Sequence, residues 1–595
     1  MENSKPVIYQ VFTRLFGNTI SANKPWGTRQ ENGVGKFNDF TDTALQAIKE
    51  LGVTHIWFTG VPHHALIGDY SDFGISDDDT DVVKGRAGSP YAVKDYYNVN
   101  PDLAVDVSHR LDEFKALIDR THRRGMKVII DIVPNHVARA YHSVSNPEGV
   151  EDFGASDNTS VEFARDNNFY YIPGQAFQVP ESRDGYQPLG GEPHPQSDGF
   201  FDENPAKWTG NGSRMARPDF YDWYETVKIN YGVRPDGSAD FDLLPQEYTQ
   251  KTAAEHLVFW QERSVPDSWE KFRDIALYWI QMGVDGFRYD MAELVPVEFW
   301  SYMNSSIKVA NPDAFLMAEV YNPSLYRDYI YRGKMDYLYD KVGLYDSLRA
   351  IITGHDTADS LPHCQHEVHD IEPHMVRFLE NHDEQRIASR AFAGYPEKAL
   401  PAMTVTATLG NSPVMIYFAQ ELGEPANDNA GFGSETRTTI FDYWGIASLQ
   451  RWYNGGACDG GHSTDQEKSL RDFYKRVLQL SAGEEALRGS FYEIHSYNRM
   501  HTQGYYQMAF SFARWSMNRK LIIVVNFKDD ITDRYTLQLP AELTKIWQLA
   551  DGNYSMRDLL FNQRTFQLAV KDGLGTIEME VLPLESLVLS IESIQ

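Results

Sequence analysis

The 595-residue sequence has only two cysteines, Cys364 and Cys458, too few for a disulfide framework. Positive charge is also scarce: 55 Lys and Arg stand against 84 Asp and Glu, a net charge of −29. Such a field repels phosphate backbones, so no nucleic-acid partner is expected, whereas a neutral polyhydroxyl substrate is indifferent to it. No stretch reaches the ~18 apolar residues a membrane span needs, so no membrane partner is expected either. Met1–Pro6 runs directly into the strand-like Val7–Phe12 without the basic start and apolar core of a signal peptide. With Met1 as the true start, the sequence reads as a cytoplasmic protein. Long polar low-complexity tracts and internal repeats are missing, which excludes disordered and solenoid classes. Nothing in the sequence fixes an oligomeric state.

What is present is a large folding capacity, with 42% hydrophobic and 13% aromatic residues. Short apolar runs alternate with helical patterns, the signature of repeated βα units. Strands are expected at Val7–Phe12, Val53–Phe58, Lys127–Val133, Val284–Asp290, Phe315–Val320, near Met335–Leu338, near Met375–Leu379 and at Pro413–Phe418. Helices are expected at Ala44–Leu51, Leu111–Arg124 and Trp269–Met282. Eight such units imply an α/β protein with a (β/α)₈ TIM barrel. The polar stretch after the third strand is too long for a loop and reads as an inserted subdomain. After about Arg488 the pattern changes to alternating strands without helices, a C-terminal antiparallel β-sandwich. The boundaries are 1–136 and 241–487 for the barrel, 137–240 for the insertion and 488–595 for the sandwich.

Four segments end in polar residues that a barrel would gather at the C-terminal ends of its strands: Asp131–His136, Gly286–Asp290, Ala318-Glu319 and Glu380–Asp383. Gly286, Arg288 and Asp290 alternate along one strand and so face the barrel interior together. The Arg288 cation is expected to depress the pKa of Asp290 and keep it ionised, as a nucleophile requires. Glu319 leaves a strand of Phe, Leu, Met and Ala, and apolar surroundings are expected to raise its pKa toward that of a general acid.

These four segments, in this order and spacing, resemble the signature regions of the α-amylase superfamily of glycoside hydrolases. Gly283-Val-Asp-Gly-Phe-Arg-Tyr-Asp290 and Glu380-Asn-His-Asp383 carry the resemblance most specifically. It implies Asp290 as nucleophile, Glu319 as acid/base and Asp383 as the carboxylate that binds sugar hydroxyls in the transition state. It further implies Arg288 as the residue positioning Asp290, His136 and His382 as substrate-binding histidines, and Tyr91 as the ring that stacks on the sugar. The implied substrate is an α-glucan or maltooligosaccharide cleaved at α-1,4 bonds with retention. Alternatives within the superfamily are an α-glucan transglycosylase or trehalose-forming isomerase and, more remotely, a non-catalytic binding subunit.

The chemistry needs no cofactor, but the resemblance implies a calcium ion held partly by Asn135. Glu293 and Leu294 stand where many relatives have Lys-His, whose His carbonyl is a ligand. Lys36, in Gly33-Val-Gly-Lys36, stands where a second site has an acidic ligand. The run Asp77–Asp81 reads as a solvated loop. His363, Cys364, His366, His369 and His374 read as surface helix or loop rather than a zinc site. His63 and His64 follow the second strand on the catalytic face and are candidates for substrate contact.

Overall fold

The computed structural model describes residues 4–181, 197–561 and 564–592. Its centre is a parallel sheet of eight strands: β1 (Val7–Phe12), β2 (His55–Thr59), β3 (Lys127–Ile132), β4 (Gly286–Tyr289), β5 (Phe315–Ala318), β6 (Tyr337–Tyr339), β7 (Met375–Val376) and β8 (Val414–Tyr417). Each strand pairs with its sequence neighbours, β8 pairs with β1, and a parallel bridge from Arg377 to Val414 closes the ring between β7 and β8. The strands are near-continuous apolar runs because one face lines the barrel interior and the other meets a helix.

The helices follow from local signals. Thr41 caps the helix Asp42–Lys49 by accepting from Ala44 N, and Asp267–Met282 stops at Gly283, whose φ of 107° a side chain would resist. That helix buries Trp269, Phe272, Ile275, Ala276 and Trp279 along one stripe against the barrel. The expected strands and helices are present, with ends shifted by a few residues.

Two excursions rise from the C-terminal ends of the strands. After β2, Pro62–His64 pairs antiparallel with Val93–Val99. After β3, His136–Ala138 pairs antiparallel with Thr226–Lys228, and Tyr171–Ile172 with Ala206–Lys207. An apolar cluster of Phe177, Ala206, Phe220, Tyr224 and neighbours, joined by Val82 from the excursion after β2, gives this inserted region its own small core.

The tail is an antiparallel sheet of β9 (Ser490–Glu493), β10 (Ala509–Trp515), β11 (Lys520–Asn526), β12 (Asp533–Leu539), β13 (Gly552–Asp558), β14 (Thr565–Lys571), β15 (Leu574–Val581) and β16 (Ser586–Ile591). Its two halves fold over a shared core that includes Ile522 and Val524 from one side and Leu537, Leu568 and Ile577 from the other. Leu521, Ile523 and Val525 point the opposite way into the barrel's core, so β11 is apolar throughout Leu521–Val525, between Lys520 and Asn526 at its ends. The expectation of a helix-free tail is corrected: His495–His501 and Ala541–Ile546 are helical, the second entered from Pro540. Among the described residues, no helix is long and apolar enough to cross a membrane.

Candidate active site

Parallel register places the key carboxylates side by side. Arg288 on β4 lies opposite Asp131 on β3 and Met317 on β5. The backbone N–H of Asp290 donates to Ile132 O at 3.0 Å and that of Glu319 to Tyr289 O at 3.0 Å, so each carboxylate sits just past the end of its strand. Met291 follows Asp290 with φ of +47°, a left-handed conformation that a non-glycine residue adopts at a cost. In that conformation its N–H donates to Glu319 Oε2 at 2.9 Å.

Arg288 is the hub. Its fully buried guanidinium donates to Asp290 Oδ1 at 2.7 Å from Nη1 and to Tyr339 Oη at 3.1 Å from Nε. Nη2 forms an ion pair with Glu319 Oε2 at 2.9 Å, and Asp131 Oδ1 lies 3.5 Å from Nη1. Trp57 Nε1 donates to the other oxygen of Asp131 at 2.8 Å. Three carboxyls thus face one cation, and full ionisation leaves excess negative charge in a buried place.

This overturns the expected pKa of Asp290. Burial, with the charges of Glu319 and Asp383, pushes its carboxyl well above the usual range, although Arg288 pulls against them. Alternation along one strand places Arg288 beside Asp290, whereas the closeness of Glu319 and Asp383 to that carboxyl is set only by the closed ring of strands. Burial likewise raises Asp131 to about 6, against the pull of Arg288.

Across the cleft, Gln10 Nε2 donates to His382 Nδ1 at 2.8 Å. With the amide so oriented, His382 carries its proton on Nε2, which lies 2.9 Å from Asp383 Oδ2 and 2.5 Å from Tyr91 Oη. The Tyr91 and His382 rings stack at 5.2 Å. Burial opposes ionisation of Asp383, but His382, Arg288 and Arg437 outweigh it and hold its carboxyl down to about 2. The Asp383 side chain is 41% exposed to the cleft. His136 lies against the Trp223 ring at 5.3 Å, and burial with nearby Lys228 and Lys84 lowers it to about 3, so it works as a neutral group.

A cleft of about 340 Å³ brings together Tyr91, His136, Asp290, Glu319 and Asp383. Arg288 and His382 lie beneath as the supports of those groups, so all seven substrate-site residues expected from the sequence meet in one place. Trp223, Tyr321, Phe432 and Phe441 also line the cleft and were not anticipated. Their only sequence signal is an aromatic side chain within a polar loop. Trp57 and Tyr339, which orient the charged groups, are strand residues indistinguishable in sequence from core, whereas Gln10 stands out as the polar residue of the apolar strand Val7–Phe12.

Asn135 is not placed to hold calcium. Its side-chain oxygen accepts a hydrogen bond from Lys228 Nζ, and its Nδ2 donates to Gly210 O at 2.9 Å. An ammonium therefore stands where the cation was expected, brought there by the pairing of His136 with Lys228. The Glu293 carbonyl accepts from Tyr329 Oη at 3.3 Å, and its Oε2 accepts from the N–H groups of Tyr321 and Asn322 at 2.9 Å. In the first βα loop, where Lys36 stands in place of an acidic ligand, its Nζ donates to Asp102 O at 2.5 Å. Among the described residues, no three His, Cys, Asp or Glu converge as a metal site. His63 and His64 are buried in the excursion after β2, where His64 Nε2 lies 3.0 Å from Ala87 O, and do not reach the cleft.

Comparison with known proteins agrees with this architecture. The sequence is 22% identical over 564 residues to neopullulanase 2 of Thermoactinomyces vulgaris, covering 91% of this chain and 72% of the relative. It is 22% identical over 588 residues to alpha-amylase 3 of Dictyoglomus thermophilum, covering 92% of each. The fold is similar to that of a maltogenic alpha-amylase from Thermotoga neapolitana, with TM-score 0.60, 18% identity and 99% of both chains covered. It is also similar to an alpha-amylase from Lactobacillus plantarum, with TM-score 0.56, 20% identity and 98% of both chains covered. The family profile described as alpha amylase, catalytic domain, matches residues 10–231 and 249–448, most of the chain. The chain belongs to the alpha-amylase catalytic-domain family.

Proposed function

We propose that this protein hydrolyses α-1,4-glucosidic bonds of starch-derived oligosaccharides with retention, through a covalent glycosyl-enzyme on Asp290. The observation that carries the reading is the sharing of one buried guanidinium by Asp290 and Glu319 at the ends of adjacent strands. Retaining glycosidases need two carboxyls about 5–5.5 Å apart, one as nucleophile and one as acid then base. The names of the relatives, neopullulanase and alpha-amylase, favour an α-glucan as substrate.

One proton retained among the carboxyls around Arg288 relieves their repulsion, and it belongs to the group rather than to one residue. When the glycosidic oxygen lies beside Glu319, that carboxyl donates the proton as the bond to the anomeric carbon breaks. The carboxylate of Asp290 attacks the same carbon, and the leaving sugar departs with the proton. Water then attacks the anomeric carbon, Glu319 takes the water's proton, and Asp290 is released as carboxylate. Two inversions restore the α configuration. Asp383, ionised and reaching into the cleft, hydrogen-bonds ring hydroxyls most tightly as the ring flattens, which lowers the barrier rather than only improving binding. Tyr91 and neutral His136 hold the sugar without adding charge.

The test is the configuration of the first product. Proton NMR of maltopentaose digestion should show the α-anomer before mutarotation. A β-anomer formed first contradicts the mechanism.

A further inference from the structure

We propose, building on that reading, that the segment after β8, residues 424–446, closes the non-reducing end of the cleft, so that the protein acts from chain ends and releases short units. The direction of the substrate follows from the acid. Glu319 must lie beside the leaving oxygen, so the leaving chain occupies the side of β4 and β5, where Met291 and Tyr321 line the cleft. The sugar being transferred lies over Asp290, Tyr91 and Asp383, and any further units extend away from Glu319. In the ring of strands β8 and β1 stand opposite β4 and β5, and the lining that comes from the segment after β8, Phe432, Ile440 and Phe441, with Lys84 from the excursion after β2, forms the wall on that side.

This wall is anchored at both ends. Phe432 packs against the core of the inserted region, beside Val82, Phe177 and Tyr224, so the segment spans from β8 to the subdomain above β3. The N–H of Ala87 donates to Phe441 O at 3.0 Å, Arg14 donates to Ile440 O, and the N–H of Arg386 donates to Thr436 O at 2.8 Å. The Phe432 and Phe441 rings meet at 4.8 Å. At Gly85, with φ of +68°, a Cβ would stand 2.3 Å from Phe441 O, so the close approach of the two backbones depends on glycine. Polar groups complete the closed end. Lys84 Nζ pairs with Glu225 Oε2 at 2.9 Å, their side chains 10% and 8% exposed, offering a donor and an acceptor to terminal sugar hydroxyls.

A separate hollow lies past the turn that follows Met291. Beyond Met291, the turn at Glu293 and Leu294 borders a second hollow of about 350 Å³, lined also by Trp208, Arg214 and Arg234. A cleft closed on the side of the transferred sugar accepts only short transferred units, whatever the length of the leaving chain.

Two maltoheptaose substrates, both fluorescently labelled at the reducing end, decide the matter. One has a free non-reducing end and the other has that end blocked as a 4,6-acetal. The wild-type protein should shorten the free substrate stepwise to a ladder of labelled products and cut the blocked one at least a hundredfold more slowly. The Phe432→Ala, Phe441→Ala double variant should gain cleavage of the blocked substrate by tenfold or more. Wild-type cleavage of both substrates within threefold of each other, with mid-chain products, overturns the inference and leaves the glycosidase reading intact. A folded double variant that still refuses the blocked substrate also overturns it, because the wall is then not what excludes the end. Turnover of neither substrate by the wild type defeats the glycosidase reading and this inference with it. Should the double variant not fold, the wild-type comparison decides alone.

Discussion

Substituting Arg288→Lys tests the hub around which the site is organised. The guanidinium holds Asp290 at 2.7 Å and Glu319 at 2.9 Å on two different nitrogens, and a third donates to Tyr339. A lysine keeps the charge but is a point donor, and it cannot hold both carboxyls in that side-by-side geometry. The variant therefore loses roughly one hydrogen bond to a charged group, about 1.5–3 kcal/mol. If the lost bond orients the reacting carboxyls, that energy appears in the barrier as a fall of about 10- to 150-fold in kcat/KM. The carboxyl left without its partner also ionises less readily, so the acid limb of the kcat/KM profile moves to higher pH. The assay is the pH dependence of kcat/KM on a chromogenic α-maltotrioside, with thermal melts run in parallel. Arg386→Lys is the control, since that buried guanidinium holds Glu380 at 2.8 Å beneath the cleft. It should lower Tm while leaving the acid limb in place. An Arg288→Lys protein that folds, keeps kcat/KM within twofold and shows an unmoved acid limb refutes the reasoning.

Three other outcomes are expected. Lys228→Met leaves the buried oxygen of Asn135 without a donor, which should cost about 1–3 kcal/mol; wild-type Tm should be the same in EDTA and in calcium, and a calcium-dependent rise of several degrees would contradict the ammonium reading. His55, at the start of β2 and remote from the cleft, is lowered to about 3, chiefly by burial and then by Lys127. Its unfolded form takes up a proton below about pH 6.5 while the folded form does not, so stability is full above that pH and falls toward pH 3. At pH 5 the loss is about 2 kcal/mol, and His55→Gln should flatten Tm against pH there without changing kcat. Asp383→Asn removes a charge that reaches into the cleft and should lower kcat by about 10²–10³ with Tm within about 2 °C, by analogy with loss of one transition-state hydrogen bond; a loss confined to KM would argue that Asp383 only binds.

The barrel and its carboxylates were legible because strand chemistry is local. Apolar runs such as Phe315–Ala318 end in one polar residue, and Arg288 and Asp290 share a face by simple alternation. What was not legible depends on residues brought together by the chain's path. The raised Asp290 carboxyl reflects Glu319 and Asp383, which reach it only when β4, β5 and the end of β7 share a ring. Lys228 meets Asn135 through an antiparallel pairing inside the insertion, where periodicity is weak. The wall formed by residues 424–446 reads as an ordinary polar loop until Phe432 is seen against the inserted region. The helix Ala541–Ile546 was within reach, since Pro540 followed by Ala-Glu-Leu is a helix start that the surrounding strand pattern concealed.

The central claim is that Asp290 becomes covalently bonded to the sugar. A 5-fluoro-α-glucosyl fluoride reacts quickly in the first step and slowly in the second, so the intermediate accumulates and can be located by peptide mass spectrometry. The account predicts one adduct, on Asp290, and none in the Asp290→Asn protein. An adduct on Glu319 or Asp383, or turnover of the reagent with no adduct on any residue, would contradict it.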